Sequence, residues 1–184
     1  YVHEGVNTIF WIHKQKDSHL SYVPQNMSTH SHIFAKGLIE YINSQVVYLP
    51  YYLSFVGHKT FELRCDTLGN VLACLVGLAD DRQTDLIIQH ILQTGSNLPY
   101  PIVALYPPIF PGEPDWRPYM AKGRQNFPHQ YHNGGIWPFI GGFWVQLLAQ
   151  KKPDLAQTEL LRLAEANKLG DWQFNEYLHG IHGT

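Results

Sequence analysis

Between His129 and Phe139 the chain reads His-Gln-Tyr-His-Asn-Gly-Gly-Ile-Trp-Pro-Phe. Tyr131, His132 and Asn133 supply donors and acceptors, and Trp137 supplies aromatic surface, the composition of a small-molecule site. Gly134 and Gly135 allow a sharp turn or a close approach to a ligand. Pro138 suits the first position of a helix, where its missing N–H has no role. The same residues also fit the capped start of a buried helix. A carboxylate, Glu176, lies between Trp172 and Phe174 on one side and Tyr177 on the other. Partial desolvation by those rings would tune it for acid or base work; an exposed loop glutamate is the plain alternative. Glu62, Arg64 and Asp66 place two acids and a base just before a helical pattern, where Asp66 can act as N-cap and Glu62–Arg64 as an ion pair. Trp116, Arg117 and Tyr119 stand in a proline-rich stretch, either lining a sugar site or belonging to a strap across the domain. The eleven histidines include the close pairs His30/His32 and His179/His182. None forms a His-Glu-x-x-His motif and no cysteine joins them, so no metal is expected. No phosphate loop, dinucleotide fingerprint or Gly-x-Ser-x-Gly elbow occurs, which argues against those enzyme classes.

These residues must be held by helices. Residues 67–79 are apolar almost all round, which predicts a helix covered on most sides. Asp80 and Asp81 can cap a second helix over 81–94, with Leu86, Ile87, Ile91 and Leu92 as its stripe and Gly95 as its stop. Together these make a helical hairpin. Residues 96–128 carry eight prolines, and a loop that long is more often functional than idle. A second hairpin follows. Ile140, Phe143, Trp144, Leu147 and Leu148 have helical spacing on its first arm, and the aromatics among them are expected in the core. Pro153-Asp154 opens its second arm, with Leu155, Leu160, Leu163 and Ala164 expected inward and Gly170 past its end. Upstream, residues 32–43 have fair helical spacing, and 46–56 read as extended or irregular around Pro50. Residues 5–12 are β-branched and aromatic and read as a strand, and 13–31 as loop.

The whole chain narrows the classes. Its 184 residues suit one domain with a sizeable core. A net charge of −2 gives no electrostatic case for nucleic acid or an anionic membrane. No apolar run reaches the ~18 residues that cross a bilayer. Two cysteines, Cys65 and Cys74, make no disulfide framework, and a reducing, cytoplasmic setting is the simpler expectation. Asn26-Met27-Ser28 fits a glycosylation sequon, relevant only to a secreted chain. Charged residues at 15% and aromatics at 14% suit a sugar-binding surface, or a slice of a larger core.

Arg64 followed by Thr67-Leu68-Gly69-Asn70, then Tyr131-His132-Asn133-Gly134-Gly135 with Trp137-Pro138, then Asn175-Glu176-Tyr177, occur in one order. In this the chain resembles the C-terminal part of the alkaline/neutral invertase family, and the related amylo-α-1,6-glucosidase (debranching-enzyme-like) glycoside hydrolases. The resemblance implies an all-α fold, an (α/α)6 barrel of which residues 1–184 form the C-terminal part, incomplete in this chain. It implies hydrolysis of a small α-glucoside, sucrose-like or α-1,6-linked. Glu176 matches the family's C-terminal catalytic Glu in Pro-Glu-Tyr-Tyr, with Asn175 and Leu178 replacing the Pro and the second Tyr. Ile136 stands where the invertases usually have Ser. The family's catalytic acid, an Asp, would lie upstream of Tyr1. A full barrel needs roughly twice this length.

The expectation is therefore a glycosidase with Glu176 as base or nucleophile and Tyr131, His132, Asn133, Trp137, Arg64, Trp116 and Arg117 as sugar-binding residues. A small saccharide is its expected partner, and neutral glycoside cleavage of the kind the resemblance implies needs no cofactor. Residues 1–184 alone are expected to be inactive, and the exposed face of an incomplete barrel is expected to favour self-association. Two other readings stay open: a sugar-binding domain without catalysis, and a sugar epimerase on the same kind of barrel using paired histidines.

Overall fold

The computed structural model describes residues 2–13, 29–45, 48–57 and 60–184. The polar stretch 14–28, the Asn26 sequon and positions 46–47 lie outside the described residues, as do the side chains of His30 and His32. The described chain is mostly helical with a few short strands, consistent with the helical class expected.

Its first element corrects an expectation. Residues Val2–Phe10 form helix α1, and only Trp11–His13 are extended, as β1. The β-branched composition is overridden by packing: Val6 and Phe10, one helical turn apart, both rest on the main core, and Asn7 Nδ2 donates to Leu78 O at 3.2 Å. Helix α2 covers Thr29–Gln45, over the stretch expected to be helical. Strand β2, Tyr48–Tyr52, returns antiparallel to β1, with Trp11 opposite Tyr52.

Strand β3, Cys65–Asp66, leads directly into α3, Thr67–Leu75, where Asp66 caps by accepting from Gly69 N. The Thr67-Leu68-Gly69-Asn70 run is a structural fastener. Asn70 is buried, its Oδ1 accepting from Tyr52 N at 2.8 Å and its Nδ2 donating to Tyr52 O at 3.2 Å, so it completes the edge of β2 as another strand would. α3 stops earlier than the apolar pattern suggests, because the chain turns over at Gly77, whose φ is +72°. Helix α4, Asp81–Thr94, has the expected limits: Asp80 and Gln83 form a capping box, and Gly95 ends it in the left-handed region.

The proline-rich segment holds β4, Leu105–Tyr106, paired antiparallel with β3, then a short helix α5, Pro118–Ala121. Helix α6 spans Pro138–Lys151 and α7 Pro153–Trp172, with one residue, Lys152, between them. α7 is broken at Leu169–Asp171, around Gly170. On α6, Trp144, Leu147 and Leu148 enter the core and Phe143 does not. On α7 the inward stripe runs through Ala156, Glu159 and Ala166, so Leu160, 54% exposed, and Ala164 face outward instead of inward. The apolar letters mislead there because a carboxylate occupies the centre of the buried face. Glu159 accepts from Asn97 Nδ2 at 3.0 Å, Trp144 Nε1 at 3.1 Å and Arg162 Nη1 at 2.7 Å. Every partner is a donor, which is what permits a buried carboxylate.

Candidate functional site

The two hairpins, α3/α4 and α6/α7, place the N-termini of α3 and α6 and the C-terminal ends of α4 and α7 on one rim. Backbone hydrogen bonds sew that rim together. Thr67 N donates to Ala104 O, Ala104 N to Gly135 O, and Trp137 N to Ile102 O, at 3.1, 2.8 and 3.0 Å. Ile136 and Leu178 exchange bonds of 2.9 and 2.8 Å. Segments 65–67, 102–106, 135–137 and 178, scattered through the sequence, thus form one seam, and Arg64, the 129–137 loop and Glu176 stand beside it.

The 129–137 loop is tightly wound. Gly134 has φ +89°. A Cβ on Gly135 would lie 2.6 Å from Tyr131 O, so that position demands glycine for want of space. Trp137 N-caps α6 with no side-chain cap bond, and Pro138 sits in the first turn as its ring geometry favours. The Trp137 indole donates to Tyr131 O at 3.0 Å. Trp137 is buried, and the exposed His132 ring stacks on it at 4.6 Å and 7°. Tyr131 meets Trp137 at 5.0 Å and Tyr177 edge-on at 5.3 Å. The outward surface of this nest is therefore His132 with Tyr131, and Trp137 backs them. Asn133 is buried, and its amide holds the proline-rich strap: Oδ1 accepts from Ile109 N at 2.6 Å, and Nδ2 donates to Ile109 O and Asn126 O.

Glu176 adjoins the nest through its neighbour Tyr177, set there by the Ile136–Leu178 pairing. Its side chain is exposed. Trp172 and Phe174, 52% and 64% exposed, tilt against each other at 6.0 Å and do not enclose it. The backbone leading to it is strained: Asp171, Trp172 and Phe174 all have positive φ, a state that non-glycine residues adopt at a cost of about 1–3 kcal/mol each.

Arg64 stands at the opposite end of the seam. Its guanidinium bridges Glu62, Glu113 and Asp115 at 3.0, 2.7 and 2.8 Å. Burial works against its charge, and Asp115, Glu62 and Glu113 together more than offset that, so its pKa lies above the ordinary value. The Glu62–Arg64 ion pair is as the sequence suggests; the strap acids Glu113 and Asp115 carry no local signal of it. Trp116 packs on Phe127 at 6.0 Å, and the exposed Arg117 donates from Nη1 to Pro114 O and Trp116 O. Both engage the strap that carries them.

Two features escape a sequence reading. Tyr177 joins the nest, signalled only by its place beside Glu176. His129 joins the His179/His182 pair at the closing corner, its ring 6.0 Å from His179, which lies 4.8 Å from His182, and Gly180 N donates to His129 O at 2.7 Å. Burial lowers the pKa of His129 and His179, and the neighbouring imidazoles lower both further. Among the described residues no group of three His, Cys, Asp or Glu side chains is arranged to hold a metal. Also among them, no helix is long and apolar enough to cross a membrane.

The sequence profile described as alkaline and neutral invertase matches residues 4–184. The chain is similar to probable alkaline/neutral invertase D of Arabidopsis thaliana, 32% identical over 139 residues, which are 72% of this chain and 25% of that protein. It is similar to neutral/alkaline invertase 1, mitochondrial, of Oryza sativa subsp. japonica, 30% identical over 119 residues, 63% of this chain and 18% of that one. To cytosolic invertase 1 of the same rice it is 28% identical over 124 residues, 61% of this chain and 21% of the relative. The chain thus spans about a quarter or less of the length of these relatives. With its profile matched from residue 4 to residue 184, this chain belongs to the alkaline and neutral invertase family, a family of glycosidases.

Proposed function

We propose that residues 1–184 form the C-terminal part of an (α/α)6 glycosidase domain that cleaves a small α-glucoside, sucrose-like or α-1,6-linked. Glu176 serves as base or nucleophile. Its partner, an Asp acting as acid, belongs to the polypeptide upstream of Tyr1. The observation that carries this reading is the Ile136–Leu178 pairing, which puts Glu176 one residue from a ring packed on Tyr131 and Trp137. A carboxylate beside an aromatic surface with hydroxyl and imidazole groups is what binding and cleaving a sugar requires. Tyr131 and His132 bind sugar hydroxyls. Trp137 supports them from behind, Asn133 holds the loop in shape, and Arg64, Trp116 and Arg117 bound the rim. Glycoside hydrolysis of this kind needs only the two carboxylates and water. Inversion would set those carboxylates roughly 6.5–9.5 Å apart, against about 5–5.5 Å for retention.

Two hairpins sharing one rim support the barrel, as a toroid is built from such hairpins side by side. The two buried free thiols, Cys65 and Cys74, support a reducing, cytoplasmic setting. Outward Leu160, Leu161 and Phe139 support self-association of the isolated chain. The test is sugar release by the full-length gene product from sucrose and from isomaltose-type α-1,6-glucosides, with Glu176→Gln alongside. Cleavage of one of these, reduced by several orders of magnitude in the variant, is expected. Undiminished cleavage by the variant, or isomerised product in place of hydrolysed sugar, would overturn the assignment.

A further inference from the structure

The two parts of the proposed site come from separate segments, Tyr131 and His132 from the 129–137 loop and Glu176 from the tail that follows α7. Loop and tail meet at one corner, and three imidazoles stand in it. His129 opens the loop; His179 and His182 belong to the tail. The tail closes on the loop at Gly180, whose N–H donates to His129 O at 2.7 Å and where any Cβ would collide with Gly134 O. The tail also folds on itself: His179 N donates to Thr184 O and Gly183 N to His179 O, at 2.9 and 2.8 Å. The His179 ring shares in that fold, because Ile181 N donates to its Nδ1 at 3.2 Å. An accepting Nδ1 carries no proton, so the ring is the neutral tautomer with its proton on Nε2. A doubly protonated ring has to give up this bond. His182 stacks on His179 at 4.8 Å and 17°, and His129 lies 6.0 Å from His179 across the junction.

The surroundings supply no counter-charge. The strap meets the corner with Phe110, and the strap acids Glu113 and Asp115 are engaged by Arg64. Pro99 and Tyr100 lie against Gly183. On the loop, His132 is stacked on Trp137. Leu169 of α7 packs in the same apolar cluster as Leu178 and has the exposed Lys168 and Asp171 near it in sequence. The tail's own acid, Glu176, is exposed. Burial, and after it the neighbouring imidazoles, lower the pKa of His129 and His179, and no acid offsets them. Protons on two of the three rings therefore set like charges on either side of the loop–tail junction.

We propose that His179, with His129 and His182 beside it, is a positioning residue for Glu176 that holds the tail on the loop only while the three rings are uncharged. The proposal rests on the assignment of Glu176 above. His179 directly follows Leu178, so opening the corner loosens the Ile136–Leu178 pairing that sets Glu176 beside Tyr131. A released tail takes up protons near the ordinary histidine value of about 6.5, and the closed corner takes them up only below it, so falling pH favours release.

The test uses the full-length gene product. It follows kcat and KM from pH 8 to pH 5 on whichever of sucrose or an α-1,6-glucoside is cleaved, and hydrogen exchange of the peptide spanning residues 176–184. In the wild type, kcat is expected to fall on the acid side with more than one proton, and the peptide to lose protection between pH 7.5 and 5.5 after correction for intrinsic exchange. His179→Ala removes the Nδ1 acceptor and is expected to cut kcat at pH 7.5 about tenfold or more, with KM within about threefold. His179→Asn offers an amide oxygen in place of Nδ1 and no charge, and is expected to restore kcat. Both it and His182→Asn are expected to make the acid limb shallower and to move it about half a pH unit lower. A wild-type tail equally protected at both pH values would overturn the proposal, and that reading requires no variant to fold. So would an acid limb unmoved in both Asn variants, or full kcat in His179→Ala. Full activity in Glu176→Gln beside a tail that opens in acid would sink the Glu176 assignment and leave the pH-dependent corner standing. Loss of activity in Glu176→Gln beside a tail that stays protected in acid would sink the positioning role alone.

Discussion

Gly141 and Gly142 are neighbours in α6, and replacing each by alanine should shift stability in opposite directions. In a helix interior alanine is favoured over glycine by about 0.5–1 kcal/mol, since glycine loses more backbone freedom on folding. At Gly142 that gain is unopposed: the residue is exposed, and an added Cβ meets no atom within 4 Å. Gly141 is buried, and a Cβ there would lie 2.5 Å from Pro101 O and 3.1 Å from Leu163 Cδ1. Leu163 can turn aside, but the Pro101 carbonyl is backbone, held next to Ile102, whose own carbonyl bonds Trp137 N. Relief therefore requires α6 to lift from the seam, an overpacking penalty of about 1–3 kcal/mol or more. For a chain of this size each kcal/mol moves Tm by about 2–4 °C. Gly142→Ala should raise Tm by about 1–4 °C, and Gly141→Ala should lower it by several degrees, read by thermal unfolding in circular dichroism at one protein concentration. Equal shifts of the same sign would refute the close approach of α6 to residues 101–102.

Other outcomes follow from the same packing. Glu159→Leu leaves the Trp144 indole and the Asn97 amide buried without their acceptor, so urea unfolding should show a loss of about 2–4 kcal/mol; an unchanged midpoint would mean the carboxylate is not buried there. Gly135→Ala has to displace the Tyr131 carbonyl, and tryptophan fluorescence should report a disturbed Trp137 together with lower stability; a variant with wild-type Tm and spectrum would contradict the loop geometry. Burial holds the pKa of His90, His129 and His179 below 6.5 in the folded chain. The unfolded chain therefore takes up protons first as pH falls through 6.5, and stability should decline from pH 7.5 toward pH 5. A Tm that is flat or rising across that range would count against these placements. Burial raises the thiol pKa of Cys74 to about 11 and that of Cys65 further still, so both should resist a thiol-specific disulfide reagent until denaturant is added; rapid labelling of the native chain would show them accessible.

Much of the architecture was legible in local chemistry. Asp80 and Gly95 bound α4 because caps act over three or four residues, and Pro138 and Pro153 open α6 and α7 because a proline lacks only an N–H that a first turn leaves unused. Residue type and order single out the run Tyr131 to Trp137 and the neighbourhood of Glu176, which the Ile136–Leu178 pairing brings side by side. What the letters could not carry is anything set by a partner far along the chain. Residues 5–12 have strand composition, yet Val6 and Phe10 are drawn into a helix by the core they meet. Leu160 is turned outward because Glu159 finds Asn97 and Trp144 inside. Asn133 has the chemistry of a sugar ligand, yet its amide goes to Ile109 and Asn126, since the strap passes over it. Arg64 is claimed by Glu113 and Asp115, about fifty residues away. Local propensity and capping depend on neighbours in sequence. Burial, ion pairing and the joining of Ile136 to Leu178 depend on which segments the tertiary fold brings within hydrogen-bond reach.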